Sequence, residues 1–239
     1  MKQYLKLAGL NVIMDSFGRT EDHGRPYEVK AFDTADIIIK SDFNKMRAKY
    51  PDLSDSLCEY MASGKDFYLQ LLDFDGMMLH SSALVVDGKA YLFSADPGTG
   101  KSTHVCLWRR ILGDEKVRVL NDDKPALRLE NGCWYAYGTP WSGKTGQNLN
   151  LKAPLGGIAF IERGTENSIV PFSGMKAVQA FLRQVSLVET MEQKMKQMDL
   201  LDELMKTVPI WKLKCNMESE AAIVAYEAMS GQKYEGEYL

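Results

Sequence analysis

The feature that most constrains the fold is a glycine-rich loop between an apolar run and a helical pattern. Residues 95 to 102 read ADPGTGKS, which fits the phosphate-loop pattern GxxxxGK[ST] with Ala95 in place of the first glycine. Alanine is compatible with this position if its backbone φ is negative. The preceding KAYLFSA predicts a strand, and the following KSTHVCLWRRIL predicts an amphipathic helix. This is the context in which such a loop binds phosphate.

The chemistry of the loop defines a first set of candidate residues. Successive backbone N–H groups at the start of a helix attract phosphate oxygens, and glycines let the backbone approach them closely. Lys101 would neutralise the β- and γ-phosphates, and the Ser102 hydroxyl would bind Mg²⁺. The predicted nucleotide-binding residues are Asp96, Pro97, Gly98, Thr99, Gly100, Lys101, Ser102 and Thr103.

A pair of acids follows the next predicted strand. The segment VRVLNDD ends in Asp122 and Asp123, where one carboxylate could bind Mg²⁺ and the other could accept a proton from an attacking hydroxyl. We assign Asp122 as the base and Asp123, with Ser102, as the metal ligands, but the sequence leaves open which aspartate takes which role. His80 lies on the strand whose hairpin partner runs into the loop, and we expect it to orient Asp122.

Hairpins flank the loop on both sides. The dipeptides Asp87-Gly88 and Asn131-Gly132 each join two apolar runs, 76–86 to 89–95 and 125–130 to 133–140. These pairs predict an α/β fold with a largely antiparallel or mixed sheet flanked by helices. Further helices are expected over residues 43–64, 174–206 and 218–229. Met191, Met195, Met198 and Met205 follow helical spacing, which predicts core packing, with a peptide-binding groove as the alternative.

Composition excludes several function classes. The chain has 239 residues and a formal net charge of −3 without a long basic run, which argues against binding to nucleic acid or to an anionic membrane. The apolar run at the N-terminus is interrupted by Asp15, so neither a membrane span nor a signal peptide is expected. The four cysteines form no CxxC pair, which is typical of free thiols in the cytoplasm.

Taken in order, the segments LH at residues 79–80, ADPGTGKS and LNDD resemble the catalytic domain of HPr kinase/phosphorylase. The resemblance implies a P-loop core like that of phosphoenolpyruvate carboxykinases, over residues 76–239. Residues 1–75 carry no motif and do not resemble the N-terminal domain of that family, and we expect them to form an N-terminal segment packed on the core. In GTPWSGKTGQNLN, Lys144, Gln147 and Asn148 stand where the family has a glutamate and an arginine. Lys144 is therefore the candidate for stabilising charge on the transferred phosphoryl group.

The resemblance implies a kinase that uses ATP and Mg²⁺ to phosphorylate a hydroxyl, with serine of a peptide or protein as the expected acceptor. Short relatives of this kind resemble tailoring kinases for ribosomal peptide precursors. Ring-forming oligomers in the family make a homo-oligomer a further expectation. Two alternatives stay open at this point, a small-metabolite kinase and a nucleotide-binding regulatory protein without kinase activity. The departure near Lys144 leaves open whether a phosphorylase activity exists.

Overall fold

A computed structural model describes residues 1–40, 42–186 and 188–236. Residue 187, within the predicted helical stretch 174–206, and residues 237–239, at the end of the predicted catalytic domain, lie outside the described residues. Helices and strands alternate irregularly along the chain. The α-helices are α1 (Arg19–Gly24), α2 (Phe43–Lys49), α3 (Asp55–Leu71), α4 (Lys101–Leu112), α5 (Gly174–Gln184), α6 (Met191–Thr207) and α7 (Ser219–Ser230).

The N-terminal part forms a small sheet of its own. Its three strands in the described residues are β1 (Lys2–Leu7), β2 (Leu10–Asp15) and β3 (Ile37–Ile39), with β1 antiparallel and β3 parallel to β2. Leu5 and Phe67 belong to one buried cluster that also contains Tyr137 and Trp141 from the middle of the chain. The first strands and α3 thus share a core with later residues. The division of the chain at residues 75 and 76 stays a prediction.

The main sheet contains nine strands within the described residues. They are β4 (Gly76–Met78), β5 (Ser81–Val86), β6 (Lys89–Ser94), β7 (Arg118–Asn121), β8 (Ala126–Glu130), β9 (Cys133–Tyr137), β10 (Lys152–Arg163), β11 (Ser168–Pro171) and β12 (Ile210–Cys215). Their order is β4-β8-β9-β10-β6-β5-β7, with β12 also paired to β10 and β11 to β12. Strand β10 runs parallel to β6 and β12, while the other pairs are antiparallel. The prediction of an α/β fold with a mixed sheet and flanking helices is confirmed; the carboxykinase-like core stays a prediction.

The predicted strand over residues 76–86 is wrong in one respect, because it is interrupted at His80. The first part, β4, pairs with β8, and the second, β5, pairs with β6 and β7. Between them the His80 N–H donates to the Gln184 carbonyl at 2.8 Å, so it leaves the ladder to bond the end of a helix. This interruption brings the histidine to the edge of the sheet.

Two predicted helices are each divided in the structure. The stretch 43–64 breaks between α2 and α3 at Pro51, whose ring removes an N–H and disfavours helix at Tyr50. Helix α3 then starts after Ser54, whose side-chain hydroxyl accepts a hydrogen bond from Leu57 N and caps the helix. The stretch 174–206 divides into α5 and α6, because Thr190 and Gln193 form a capping box that starts α6.

Packing of the methionines differs from expectation. Met191, Met195 and Met198 are exposed on α6, with 70%, 63% and 41% of their surface accessible, whereas Met205 packs partly against the core. The prediction of core packing is therefore wrong for the first three. Leu200, Leu201 and Leu204 supply the buried face of this helix instead. Among the described residues, no helix is long and apolar enough to cross a membrane.

Candidate active site

Three site segments meet at one edge of the main sheet because of the strand order. Strand β5 lies between β6 and β7 and runs antiparallel to both, with Ser81 opposite Ser94 and Ala83 opposite Asn121. The start of β5 therefore lies beside the ends of its neighbours. His80 precedes β5, the glycine loop follows β6, and the acidic pair follows β7. The topology thus brings together His80, the loop at residues 95–102 and the acids at 122–123, which are separated in the sequence by strands and a helix.

Two glycines of the loop adopt a backbone conformation that favours glycine. Gly98 and Gly100 have φ of +78° and +124°, a backbone region that residues other than glycine rarely adopt. A Cβ at either position would face open space. Helix α4 begins directly after the loop at Lys101. Ala95 is buried and is not among the non-glycine residues of the described chain that have positive φ. The substitution of alanine for the first glycine is therefore compatible with the loop.

Lys101 is buried within this loop, with 8% of its surface exposed. Its ammonium donates to the Ala95 carbonyl at 3.0 Å. Burial lowers the pKa of Lys101, while the negative charges of Asp123, Asp122 and Asp96 act in the opposite direction. A lysine ammonium held inside a glycine loop at the start of a helix is suited to binding an anion.

Arg163, at the end of β10, is a site residue that the sequence analysis missed. Its guanidinium donates to the Thr99 carbonyl at 3.2 Å and also to the Gly98 carbonyl. In a trans peptide the C=O and the following N–H point in opposite directions, so the arginine turns the Gly100 N–H away from itself. No motif marks this arginine, because it lies in an ordinary strand pattern far along the chain.

The acidic turn is shaped by Asn121, another residue that sequence reasoning did not single out. Its side-chain oxygen accepts from the N–H groups of Asp123 and Lys124 at 2.9 and 2.7 Å. Its side-chain NH₂ donates to the carbonyl and hydroxyl of Thr139 at 2.9 and 3.1 Å. The Asn121 side chain is fully buried, so its hydrogen bonds hold the turn from the protein interior. An asparagine directly before paired aspartates could have indicated such a turn.

Asp122 lies between two hydroxyl groups. Ser82 donates to its Oδ1 at 2.6 Å and Thr145 to its Oδ2 at 2.9 Å. The expected contact of His80 with Asp122 is wrong, because His80 contacts Asp123 instead. Neighbouring side chains in a turn point in different directions, and the sequence alone does not show which of the two aspartates faces His80.

Asp123 carries the charged contacts of the pair. His80 Nε2 lies 3.2 Å from its Oδ1, and Lys124 Nζ lies 3.6 Å from its Oδ2. Burial raises the pKa of Asp123, but the hydrogen bond from His80 and the charges of Lys124, His80 and Lys101 outweigh it and hold this pKa below its usual range. Asp123 is therefore an ionised carboxylate at neutral pH, with a histidine ring beside it.

Helix α3 of the N-terminal part supports the same turn. The Lys124 ammonium lies 5.3 Å from the centre of the Tyr60 ring, and the Tyr60 hydroxyl accepts from Gly143 N at 2.9 Å. The Tyr68 hydroxyl donates to the Lys124 carbonyl. The sequence analysis found no site residue in the first 75 positions, and a tyrosine in a helical pattern offers no signal for one.

The structure does not join the other predicted residues to the acids. Lys144 is exposed and makes no hydrogen bond or ion pair with any described residue, whereas its neighbour Thr145 contacts Asp122. Ser102 is exposed at the start of α4. Asp96 accepts from the Gln184 side chain at 2.8 Å, and Pro97 is exposed beside it.

A cavity of about 420 Å³ borders the loop. Gly98, Thr99, Gly100 and Thr103 line it together with apolar side chains that include Leu107, Ile161 and Met217. His104 also lines this cavity and is buried, which lowers its pKa to about 3. Its Nε2 accepts from Trp108 Nε1 at 3.2 Å, so the neutral ring carries its hydrogen on Nδ1, which has no partner among the described residues.

The site contains few metal-binding side chains. Within the described ranges, no group of three or more histidine, cysteine or acidic side chains could hold a metal ion. Mg²⁺ is commonly held by one or two carboxylates together with substrate phosphates, because it keeps several waters. Two aspartates and a serine hydroxyl are oxygen donors of the kind that Mg²⁺ prefers, so the donor set fits this ion.

Comparison with known proteins identifies no family. No family model matches the chain, and no curated protein matches it. Among solved structures, an Hpr(Ser) kinase/phosphatase from Coxiella burnetii matches with a TM-score of 0.36 and 10% identity, over 64% of this chain and 93% of that one. A TM-score this low does not establish a common fold. The resemblance expected from the sequence motifs therefore stays a prediction.

Proposed function

We propose that the protein is a kinase that transfers the γ-phosphoryl group of ATP to a hydroxyl group, with a serine of a peptide or protein as acceptor. One observation carries the proposal: a glycine loop with a buried lysine meets a pair of aspartates at one edge of the sheet, and a histidine contacts one of the acids. Phosphoryl transfer requires this combination of anion binding, metal binding and proton acceptance.

The loop and Lys101 hold the β- and γ-phosphates in this proposal, and Arg163 fixes the loop through its bonds to the Gly98 and Thr99 carbonyls. Both glycines border open space, so the phosphates can approach the backbone closely. The cavity next to Thr103 receives the nucleoside, since its size and mixed lining suit a flat base.

Ser102 and Asp122 would hold Mg²⁺, which when bound neutralises charge on the phosphates. Asp122 is assigned to the metal because, among the described residues, its two oxygens accept hydrogen bonds from hydroxyl groups alone, which leaves lone pairs for a cation. This assignment exchanges the roles first given to the two aspartates.

Asp123 would accept the proton of the acceptor hydroxyl. As that oxygen forms its bond to the γ-phosphorus, the bond from phosphorus to the β,γ-bridging oxygen breaks, ADP leaves, and the proton passes to the Asp123–His80 pair. Lys124, beside Asp123, supplies the positive charge that the sequence analysis assigned to Lys144. A carboxylate held ionised next to a histidine can take up this proton.

Turnover of Mg·ATP with and without a pool of serine-containing peptides tests the proposal. We expect peptide-dependent ADP release and phosphopeptide formation in wild type, loss of both in Lys101→Met, and normal rates in Lys116→Met, whose lysine is exposed beyond the far end of α4. Tight ATP binding without any phosphorylated product would instead support a regulatory nucleotide-binding protein. Absence of ATP binding would overturn both functions.

A further inference from the structure

We propose that Arg19 is a specificity-determining residue that binds a carboxylate of the acceptor, so that the site selects serines next to acidic residues of a peptide. This inference rests on the proposed function, because it names the class of acceptor that the same site takes. Arg19 begins α1, in the N-terminal part of the chain, and no motif includes it. The N-terminal part thereby supplies substrate specificity to the acids of the main sheet.

Arg19 and Lys124 contact the same aromatic ring. The guanidinium carbon of Arg19 lies 4.9 Å from the centre of the Tyr60 ring, and the Lys124 ammonium lies 5.3 Å from it. Lys124 Nζ is in turn 3.6 Å from Asp123 Oδ2. Contacts through one ring and one lysine thus connect Arg19 to the carboxylate that the acceptor hydroxyl must reach.

The start of α1 is held firmly against α3. The Arg19 N–H donates to Ser56 Oγ at 3.0 Å, one turn before Tyr60. Gly18 allows this close approach, since its φ is +56° and a Cβ there would lie 2.5 Å from the same oxygen. Tyr60 is buried, with 3% of its surface exposed, and its hydroxyl accepts from Gly143 N at 2.9 Å. A cation on such a support loses little freedom when it binds a ligand.

The Arg19 guanidinium has unused donors. In the described part of the chain it has no hydrogen-bond acceptor and no carboxylate at ion-pair distance, and Asp22 of the same helix pairs with Arg25 instead. Contact with a ring face uses none of the five N–H groups of a guanidinium in a hydrogen bond to oxygen. This planar set of donors matches the two oxygens of a carboxylate.

The charges around Tyr60 favour an anion as the neighbour of the serine. Lys144 is exposed and lies between Gly143, which donates to Tyr60, and Thr145, which donates to Asp122. Like Arg19, it has no acidic partner among the described residues, although the formal net charge of the chain is −3. A glutamate or aspartate beside the serine is attracted to these cations, whereas a lysine there is repelled.

Peptide binding tests the inference without any turnover. The probes are fluorescein-labelled peptides with a single serine flanked on both sides by glutamates, or by glutamines in the matched peptide, and anisotropy is measured with Mg²⁺ and a non-hydrolysable ATP analogue. We expect wild type to bind the glutamate peptide about 10-fold more tightly, as for a charged hydrogen-bonded pair. Arg19→Gln should remove most of this preference, and Arg19→Glu should favour a lysine-flanked peptide. Arg118→Gln is the matched control and should keep the preference, because its exposed arginine lies at the end of β7 away from the acids.

Kinetics give a second readout that separates binding from chemistry. In Arg19→Gln we expect KM for the glutamate peptide to rise about 10-fold with kcat and the Kd for ATP nearly unchanged, because Arg19 binds the acceptor away from the reacting atoms. A rise in the Kd for ATP would overturn the inference, since Arg19 would then act on the donor.

The two proposals can fail separately. Wild type that binds and phosphorylates both peptides equally well would overturn the role of Arg19, even if its variants do not fold, while the kinase function stands. If Arg19-dependent preference for the glutamate peptide is found but no peptide is phosphorylated, the proposed function fails while the acidic-peptide site stands.

Discussion

His80 Nε2 lies 3.2 Å from Asp123 Oδ1, although the two residues flank different strands and are far apart in sequence. The contact exists because β5 lies beside β7 in antiparallel orientation, so the residue before β5 faces the turn after β7. The Ser81 N–H donates to the Asp123 carbonyl at 3.0 Å, and this bond holds the start of β5 against the turn after β7. The histidine thereby distinguishes two adjacent aspartates that are chemically identical in the sequence.

Replacement of each aspartate by asparagine should affect different kinetic quantities. Asp123→Asn removes the proton acceptor, and we expect kcat to fall by about 10²- to 10⁴-fold with little change in ATP affinity. Asp122→Asn should instead raise the Mg²⁺ concentration needed for half-maximal rate. Steady-state rates over a Mg²⁺ titration measure both effects. The opposite pattern would return the two acids to the roles first assigned to them.

Replacement of Lys124 should lower kcat more than replacement of Lys144. Lys124 lies 3.6 Å from Asp123 Oδ2, whereas Lys144 is exposed without a polar partner among the described residues. We expect Lys124→Met to lower kcat about 10-fold or more, because it removes a positive charge beside the reacting groups. Lys144→Met is the direct comparison, measured under the same conditions. A larger loss in Lys144→Met would support the original assignment from the sequence.

Loss of the Arg163 side chain should weaken nucleotide binding. Without its bonds to the Gly98 and Thr99 carbonyls, the loop is free to turn its N–H groups away from the phosphates. We expect the Kd for ATP to rise about 10-fold in Arg163→Met, equivalent to about 1.4 kcal/mol. Arg110→Met, on the exposed face of α4, serves as the control in the same calorimetric titration. Equal affinities in wild type and Arg163→Met would contradict the positioning of the loop by this arginine.

Stability should depend on pH through Glu59 in α3. Burial raises the pKa of this carboxyl to about 7, against the weaker lowering effects of the Thr20 and Ser63 hydroxyls and the chain N-terminus. Between its unfolded value near 4.5 and this folded value, the folded state binds more protons than the unfolded state. The Glu59 contribution to the free energy of unfolding is therefore greatest at low pH and decreases as pH rises through this window, by about 3 kcal/mol at most.

Glu59→Gln removes this titration. Denaturant unfolding at pH 5 and pH 8 should show a smaller loss of stability in the variant than in wild type. Since the amide stays neutral, the variant should be the more stable protein at pH 8. The same pH dependence in both proteins would mean that water reaches the Glu59 carboxylate.

Local sequence patterns determined much of this protein. The loop glycines, the helix from Lys101, and both hairpin turns could be predicted because each depends on neighbours in the chain: positive φ at glycine, helical periodicity, and turn dipeptides. Breaks in the longer elements were missed, since Pro51 was included in a helix and His80 in a strand. The break at Pro51 is a local signal that the helical interpretation overlooked, whereas the break at His80 depends on a distant partner, the Gln184 carbonyl.

Only the tertiary structure decided which residues support the loop, the histidine and the acidic turn. Arg163, Gln184 and Tyr60 reach the site from β10, α5 and α3, and no spacing in the sequence relates them to the loop. The choice of Asp123 over Asp122 as the partner of His80 depends on the direction of side chains in one turn. Composition and motifs specify which chemical groups are present, but distances of about 3 Å between them follow from strand order and register, which are properties of the whole fold.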